Sequence, residues 1–225
     1  MSVLLLARHG ETSWTRERRW QGHADPRLTR RGRAQARALA RQLVDQSIDA
    51  IYSSDLRRAS ETAAIVARAV ELEVRLDPEL RENDFGDWTG LGRDEVERRF
   101  PHAARLRRRG LKGWNGGESY EEMADRVVRA VSRIAAAHRE EKLLVVTHNG
   151  PIRAIHAHAL GVPYSEYRKT AKSIKKGTVS AVSLEGGAWT RIGIVLGLLP
   201  PQIPAISEYV AEWQPALRLL EALPL

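Results

Sequence analysis

Two kinds of hydrophobic pattern alternate along the first two-thirds of the chain. Val3-Leu4-Leu5-Leu6-Ala7 and residues 143–146 are short and apolar at consecutive positions, which reads as strands buried on both faces. Residues 48–52 read as another short strand, and residues 74–76 as a brief extended piece. Between them, residues 32–46 carry Ala36, Leu39, Ala40 and Leu43 at helical spacing, with Thr29 placed upstream as a cap. Leu56, Ala59, Ala63, Val66 and Val70 share one face of a second helix, for which Ser53, Ser54 or Asp55 is the expected cap. Residues 93–100 give a short helix. Ser119 and Glu122 make a capping box ahead of Met123, Val127, Ala130, Val131 and Ile134. Pro151 opens a last helix that turns Ile152 and Ile155 inward and stops at Gly161. Strand and helix in this rhythm predict right-handed βαβ units and a parallel sheet. Residues 178–184 and 189–195 flank Gly186-Gly187 as a hairpin at the sheet edge. The remaining segments lack periodicity: 13–31 is expected to be a long loop and 101–117 an irregular basic flap. From Leu198 the chain is Pro-rich. Residues 1–195 are therefore taken as one domain and 196–225 as a C-terminal extension.

The polar residues of interest sit where the strands end. Arg8-His9-Gly10 follows the first, Ser53 through Arg58 the second, and Thr147-His148 the strand at 143–146. A single Arg-His after a strand is usually a turn with a satisfied histidine, but in a parallel sheet the carboxyl ends face one crevice. Three such clusters converge there, with two imidazoles and two guanidinium groups around an anion-sized space. One imidazole can attack phosphorus while the other groups neutralise its oxygens. The stretch 80–90 adds Glu82, Asp84 and Asp87 beside Phe85 and Trp88, and an acid desolvated by aromatic neighbours suits a proton donor near neutral pH. Composition does not choose among the three. No Gly-x-Ser-x-Gly elbow is present, which disfavours seryl chemistry.

Composition narrows the classes. A chain of 225 residues buries roughly 70–75% of its unfolded surface without an outside staple. It has no cysteine, which excludes disulfides, thiolate catalysis and Cys-based zinc sites. His156-x-His158 points to two helix faces, and no His-Glu-x-x-His run occurs, so neither a metal nor another cofactor is expected. No apolar stretch approaches about 18 residues, so the expected setting is the cytoplasm, without a membrane partner. The net charge is +8 with Arg supplying 30 of 36 basic residues. That arginine is spread through helical segments, which reads as a solvated face rather than a specific nucleic-acid surface. The exception is residues 105–112, with five cations in eight positions. Arg108 and Arg109 there are expected to recognise a second negative group on the substrate.

The chain resembles the histidine phosphatase superfamily, also called the phosphoglycerate mutase-like family. The resemblance rests on Leu6-Ala7-Arg8-His9-Gly10-Glu11-Thr12, Leu28-Thr29-x-x-Gly32, Ser53-Ser54-Asp55-Leu56-x-Arg58-Ala59-x-x-Thr62-Ala63, Leu80-Arg81-Glu82 with Phe85-Gly86-Asp87-Trp88-x-Gly90, and Val146-Thr147-His148-x-Gly150. It implies a three-layer α/β/α sandwich around a mostly parallel sheet, metal-free catalysis, phosphorylation of His9, phosphoryl binding by Arg8, Arg58 and His148, and proton transfer by Glu82. Thr15 stands where many members carry Asn. Thr15, Gln21, Gly22 and Asn149 complete the candidate substrate-binding set. Only 65 residues separate Glu82 from His148, fewer than in mutases, which favours a phosphatase of a small anionic phosphorylated metabolite over phosphoglycerate mutase. The alternative from another class is a catalytically inactive basic nucleic-acid-binding or scaffold protein. A homodimer is left open.

Overall fold

In a computed structural model, described for residues 2–176, 178–185 and 188–193, six strands form one sheet. They are β1 (Ser2–Arg8), β2 (Ala50–Ser53), β3 (Val74–Leu76), β4 (Lys142–Thr147), β5 (Val179–Glu185) and β6 (Ala188–Gly193), in the spatial order β3-β2-β4-β1-β5-β6. β3, β2, β4 and β1 run parallel; β5 pairs antiparallel with β1, and β6 with β5. The expected 196–225 extension and the end of the hairpin beyond Gly193 lie outside the described residues.

Consecutive apolar residues in β1 and β4 have the cause the pattern suggested. Leu4, Leu6, Leu143 and Val145 enter one core, and Val3, Leu5, Ala7, Leu144 and Val146 enter another on the opposite face. α2 (Arg30–Leu43) and α3 (Arg57–Val70) cover the second core; α6 (Tyr120–Ala137) and α7 (Asn149–Ala159) cover the first. This is the three-layer sandwich. Thr29 caps α2 by accepting from Gly32 N, and Ser119 and Glu122 close the box on α6. α8 (Tyr164–Thr170) packs beside α6 and α7. No helix of the described residues is long and apolar enough to cross a membrane.

Three local expectations change. Residues 13–31 are not all loop, because Thr12 caps a single-turn α1 (Ser13–Arg16). Residues 101–117 are not irregular throughout: after α4 (Arg93–Arg99), Pro101 starts α5 (Pro101–Arg108), and only residues 109–117 lack regular structure. The turn that follows α5 is anchored by buried Trp114, whose ring lies 5.0 Å from Phe85, 5.6 Å from Trp88 and 5.0 Å from Tyr120. Finally, none of Ser53, Ser54 or Asp55 is the N-cap of α3. Leu56 holds that position without a side-chain bond, and Asp25 Oδ1, 32 residues upstream, accepts from Arg57 N at 2.5 Å.

Candidate active site

The parallel register of β1 on β4 pairs Arg8 with Thr147, so the next residue on each strand, His9 and His148, leaves the sheet at the same edge. Their rings lie 5.1 Å apart. Gly10 follows, packed so closely on α2 that a Cβ there would stand 2.5 Å from the Gly32 carbonyl oxygen. Its N–H donates to Thr62 Oγ1 on α3 at 3.1 Å. The backbone around His9 is thus pinned from both helices behind it.

Neighbouring groups fix the protons of both imidazoles. His9 Nδ1 lies 2.7 Å from the Gly10 carbonyl, which only accepts, so Nδ1 carries the hydrogen and Nε2 keeps its lone pair. His148 Nδ1 lies 3.2 Å from Arg58 Nε, which only donates, so here Nε2 carries the hydrogen and donates to Ser54 Oγ at 2.9 Å. Burial, reinforced by the Arg58 charge, lowers both histidine pKa values well below the ordinary 6.5, so both rings are neutral. Arg58 is fully buried and donates to the carbonyls of Ala24 (2.7 Å) and Gly22 (2.8 Å). Burial lowers its pKa to about 10, which still leaves it charged at neutral pH. Arg8 donates to the Ile174 carbonyl at 2.7 Å, and its buried Nε meets no partner.

The acids separate by what they already bind. Asp84 Oδ1 accepts from Gly86 N, and Asp87 accepts from Asn115 N and Nδ2, so both are spent on turns of the 84–117 region. Glu82 instead reaches Gly150 N, with Oε1 at 3.1 Å, and lines the cavity. Its loop is clamped from below: Arg126 on α6 donates to the carbonyls of Glu79 and Arg81, and Thr147 Oγ1 donates to that of Leu80 at 2.6 Å.

These groups surround a cavity of about 370 Å³, at the small end of the usual ligand-pocket range. Nine Arg and Lys side chains line it against one carboxylate, Glu82. Such a space can hold a phosphate ester with its phosphorus at His9 and its leaving oxygen toward Glu82.

The profile of the histidine phosphatase superfamily (branch 1) matches residues 4–194. The chain belongs to this superfamily. It is 38% identical over 196 residues to phosphoglycerate mutase-like protein 4 of Arabidopsis thaliana, covering 83% of this chain and 82% of that one. It is 36% identical over 169 residues to phosphoserine phosphatase 1 of Hydrogenobacter thermophilus, covering 74% and 80%. Among solved structures, a mycobacterial glucosyl-3-phosphoglycerate phosphatase with VO3 superposes with a TM-score of 0.79 at 31% identity, over 87% of this chain and 99% of that one. This histidine phosphatase is accordingly a phosphoric monoester hydrolase.

Within it, Arg8, His9, Thr15, Gln21, Gly22, Arg58, Glu82 and Asn149 all line the cavity. The Thr15 hydroxyl donates to the Thr12 carbonyl, and Gln21 Oε1 accepts from Thr12 Oγ1, so both also shape the loop after β1. Asn149 Oδ1 accepts from Ser173 Oγ and Ile174 N, drawing the segment after α8 toward Arg8. His148 stands one layer back, engaged with Arg58 and Ser54 and outside the cavity lining. Arg108 and Arg109 are not in the lining either; Arg108 is exposed and pairs with Glu97, while Arg107 faces the cavity. Sequence reasoning also passed over Asp25, Arg126 and the carbonyls of Gly22 and Ala24, whose roles depend on contacts between distant parts of the chain.

Proposed function

We propose that this phosphatase hydrolyses a small, anionic phosphate monoester in the cytoplasm through a phosphohistidine at His9. The observation that carries the reading is the His9 ring itself. It is neutral, its Nδ1 is committed to the Gly10 carbonyl, and its unprotonated Nε2 is left at a cavity walled by Arg8 and Arg58. In the first half-reaction Nε2 attacks phosphorus and the ester P–O bond breaks, while the departing oxygen takes the proton of Glu82. In the second, Glu82 takes a proton from water, the water oxygen attacks phosphorus and the P–N bond breaks. Phosphate leaves, and His9 and Glu82 return to their starting states. Arg8 and Arg58 neutralise the equatorial oxygens, so chelators leave turnover unchanged. His148 acts through Arg58, whose Nε it holds. The short connection from Glu82 to His148 favours release of phosphate to water over return to a second substrate.

The test is Glu82→Gln assayed on two leaving groups. Turnover of an alkyl phosphate should fall by roughly 10² to 10⁴, with a much smaller loss on nitrophenyl phosphate, whose leaving group hardly needs a proton. Equal losses on the two esters would assign Glu82 a structural role instead.

A further inference from the structure

Residues 81–85 carry Glu82 without regular secondary structure, so no helix or strand ladder fixes where its carboxylate stands. The backbone polar groups of this stretch are satisfied from elsewhere. Arg126 and Thr147 donate to the carbonyls of Glu79, Leu80 and Arg81, and Asp84 N donates to Glu118 Oε1 at 3.1 Å. The carbonyl of Glu82 itself is reached by a side chain that the chemistry just described leaves unused: His23 Nε2 lies 2.8 Å from it. The other donor there, Arg126 Nη2, stands at 3.4 Å, outside the usual range for such a bond. A carbonyl only accepts, so Nε2 of His23 carries a hydrogen. Glu118 Oε1 is 4.0 Å from the same nitrogen and already accepts from Arg126 and from Asp84 N, which leaves the Glu82 carbonyl as the nearer acceptor.

The place of His23 in the chain gives this bond its consequence. It stands between Gly22 and Ala24, whose carbonyls accept from Arg58 Nη2 at 2.8 Å and Arg58 Nη1 at 2.7 Å. Three consecutive residues therefore hold both the guanidinium assigned to the phosphoryl oxygens and the backbone of the proposed proton donor. Gly22 packs so closely on the Glu82 loop that a Cβ there would stand 3.2 Å from Phe85 N and 3.5 Å from Asn83 O, so the tripeptide has little room to slide. Arg126 and Thr147 belong to α6 and β4 and tie the loop to the core; His23 ties it to Arg58. His23 is absent from the cavity lining, so it does not meet the substrate. Its side chain is 32% exposed, so its replacement leaves no void in the core.

We infer that His23 is a positioning residue: through the Glu82 carbonyl it sets the distance between the proton donor and the phosphoryl group held by Arg58. This rests on the proposed role of Glu82 as the acid. Displacing a reacting group by about 1 Å costs roughly 10²-fold in rate, and the slack left by one lost hydrogen bond should cost less.

The test compares leaving groups. His23→Leu should lower kcat for an alkyl phosphate by about 3- to 10-fold, the effect of one lost hydrogen bond, and leave KM within about 2-fold. Turnover of nitrophenyl phosphate, whose leaving group hardly needs a proton, should hold. His23→Gln, whose amide nitrogen lies as many bonds from Cβ as Nε2 and can donate in its place, should restore the alkyl ester rate. Adding His23→Leu to Glu82→Gln should cost nothing further, because the acid whose place it sets is gone. Unchanged alkyl ester turnover in His23→Leu overturns the inference. So does an equal loss on both esters, which would place the effect on Arg58 or on the fold, and so does a loss of full size that persists beside Glu82→Gln. If Glu82→Gln alone does not separate the two esters, the proposed acid falls and the role of His23 with it. If Glu82→Gln separates them and His23→Leu does not, only the role of His23 falls.

Discussion

A Cβ added at Gly150 would stand 2.3 Å from Oε1 of Glu82. The residue lies in the first turn of α7, where alanine by itself should favour the helix by about 0.8–1.0 kcal/mol. Gly150→Ala therefore separates two effects. Thermal stability should hold while kcat falls by roughly 10²-fold, the usual consequence of displacing a catalytic group by about 1 Å. Parallel melting curves and turnover measurements check this, and a variant with unchanged kcat would show that the Glu82 carboxylate tolerates movement. The same residue scale shows what sequence could and could not convey. Glu82, Asp84 and Asp87 are equivalent as acids near aromatic side chains; only their partners distinguish them, since two are consumed by turns and one faces the cavity. Arg108 and Arg107 are adjacent in a run of arginines, and helix α5 sends one to Glu97 and the other toward Trp20.

Elements were legible where burial is one-sided or complete. β1 from Val3 to Ala7 and β4 from Leu143 to Val146 are apolar at consecutive positions because each faces two cores, and α2 and α6 carry both a buried stripe and a side-chain cap. α5 was hidden for the opposite reason: of its eight residues only Ala104 is buried, so no periodic apolar stripe exists. Its position depends on the turn behind it, where Trp114 is 3% exposed and donates through Nε1 to the Glu118 carbonyl at 3.0 Å. Trp114→Ala should cost about 3–5 kcal/mol of stability, the range for removing a buried large aromatic, as measured by chemical denaturation. It should also weaken catalysis, because Phe85 and Trp88 lose the ring against which the Glu82 loop is packed. The α3 cap was missed because Asp25 reaches it from 32 residues away, a distance that no local pattern records.

For the whole molecule, His9 and His148, the two buried neutral histidines of the site, link folding to pH. His9 and His148 have folded pKa values depressed well below 6.5, whereas in the unfolded chain they take up protons near pH 6.5. Between those values the unfolded state binds more protons, so stability is fully present above about pH 6.5 and is lost as pH falls below it. The two sites together contribute a slope of up to about 2.7 kcal/mol per pH unit. Denaturation midpoints between about pH 7 and pH 5 should show this loss, and His9→Asn should remove about half of the slope; a flat profile would contradict neutral burial. The fold that buries these rings also orients them, because the Gly10 carbonyl holds the hydrogen of His9 on Nδ1 and leaves on Nε2 the lone pair that the proposed mechanism requires. The most direct measurement is rapid quench of the wild-type enzyme during turnover, with the protein kept alkaline and the phosphorylated residue and ring nitrogen identified by mass spectrometry and phosphorus NMR. The expected result is phosphate on Nε2 of His9 and none on His9→Ala. Phosphate on another residue or on Nδ1, or hydrolysis at full rate with no phosphorylated histidine, would contradict the mechanism.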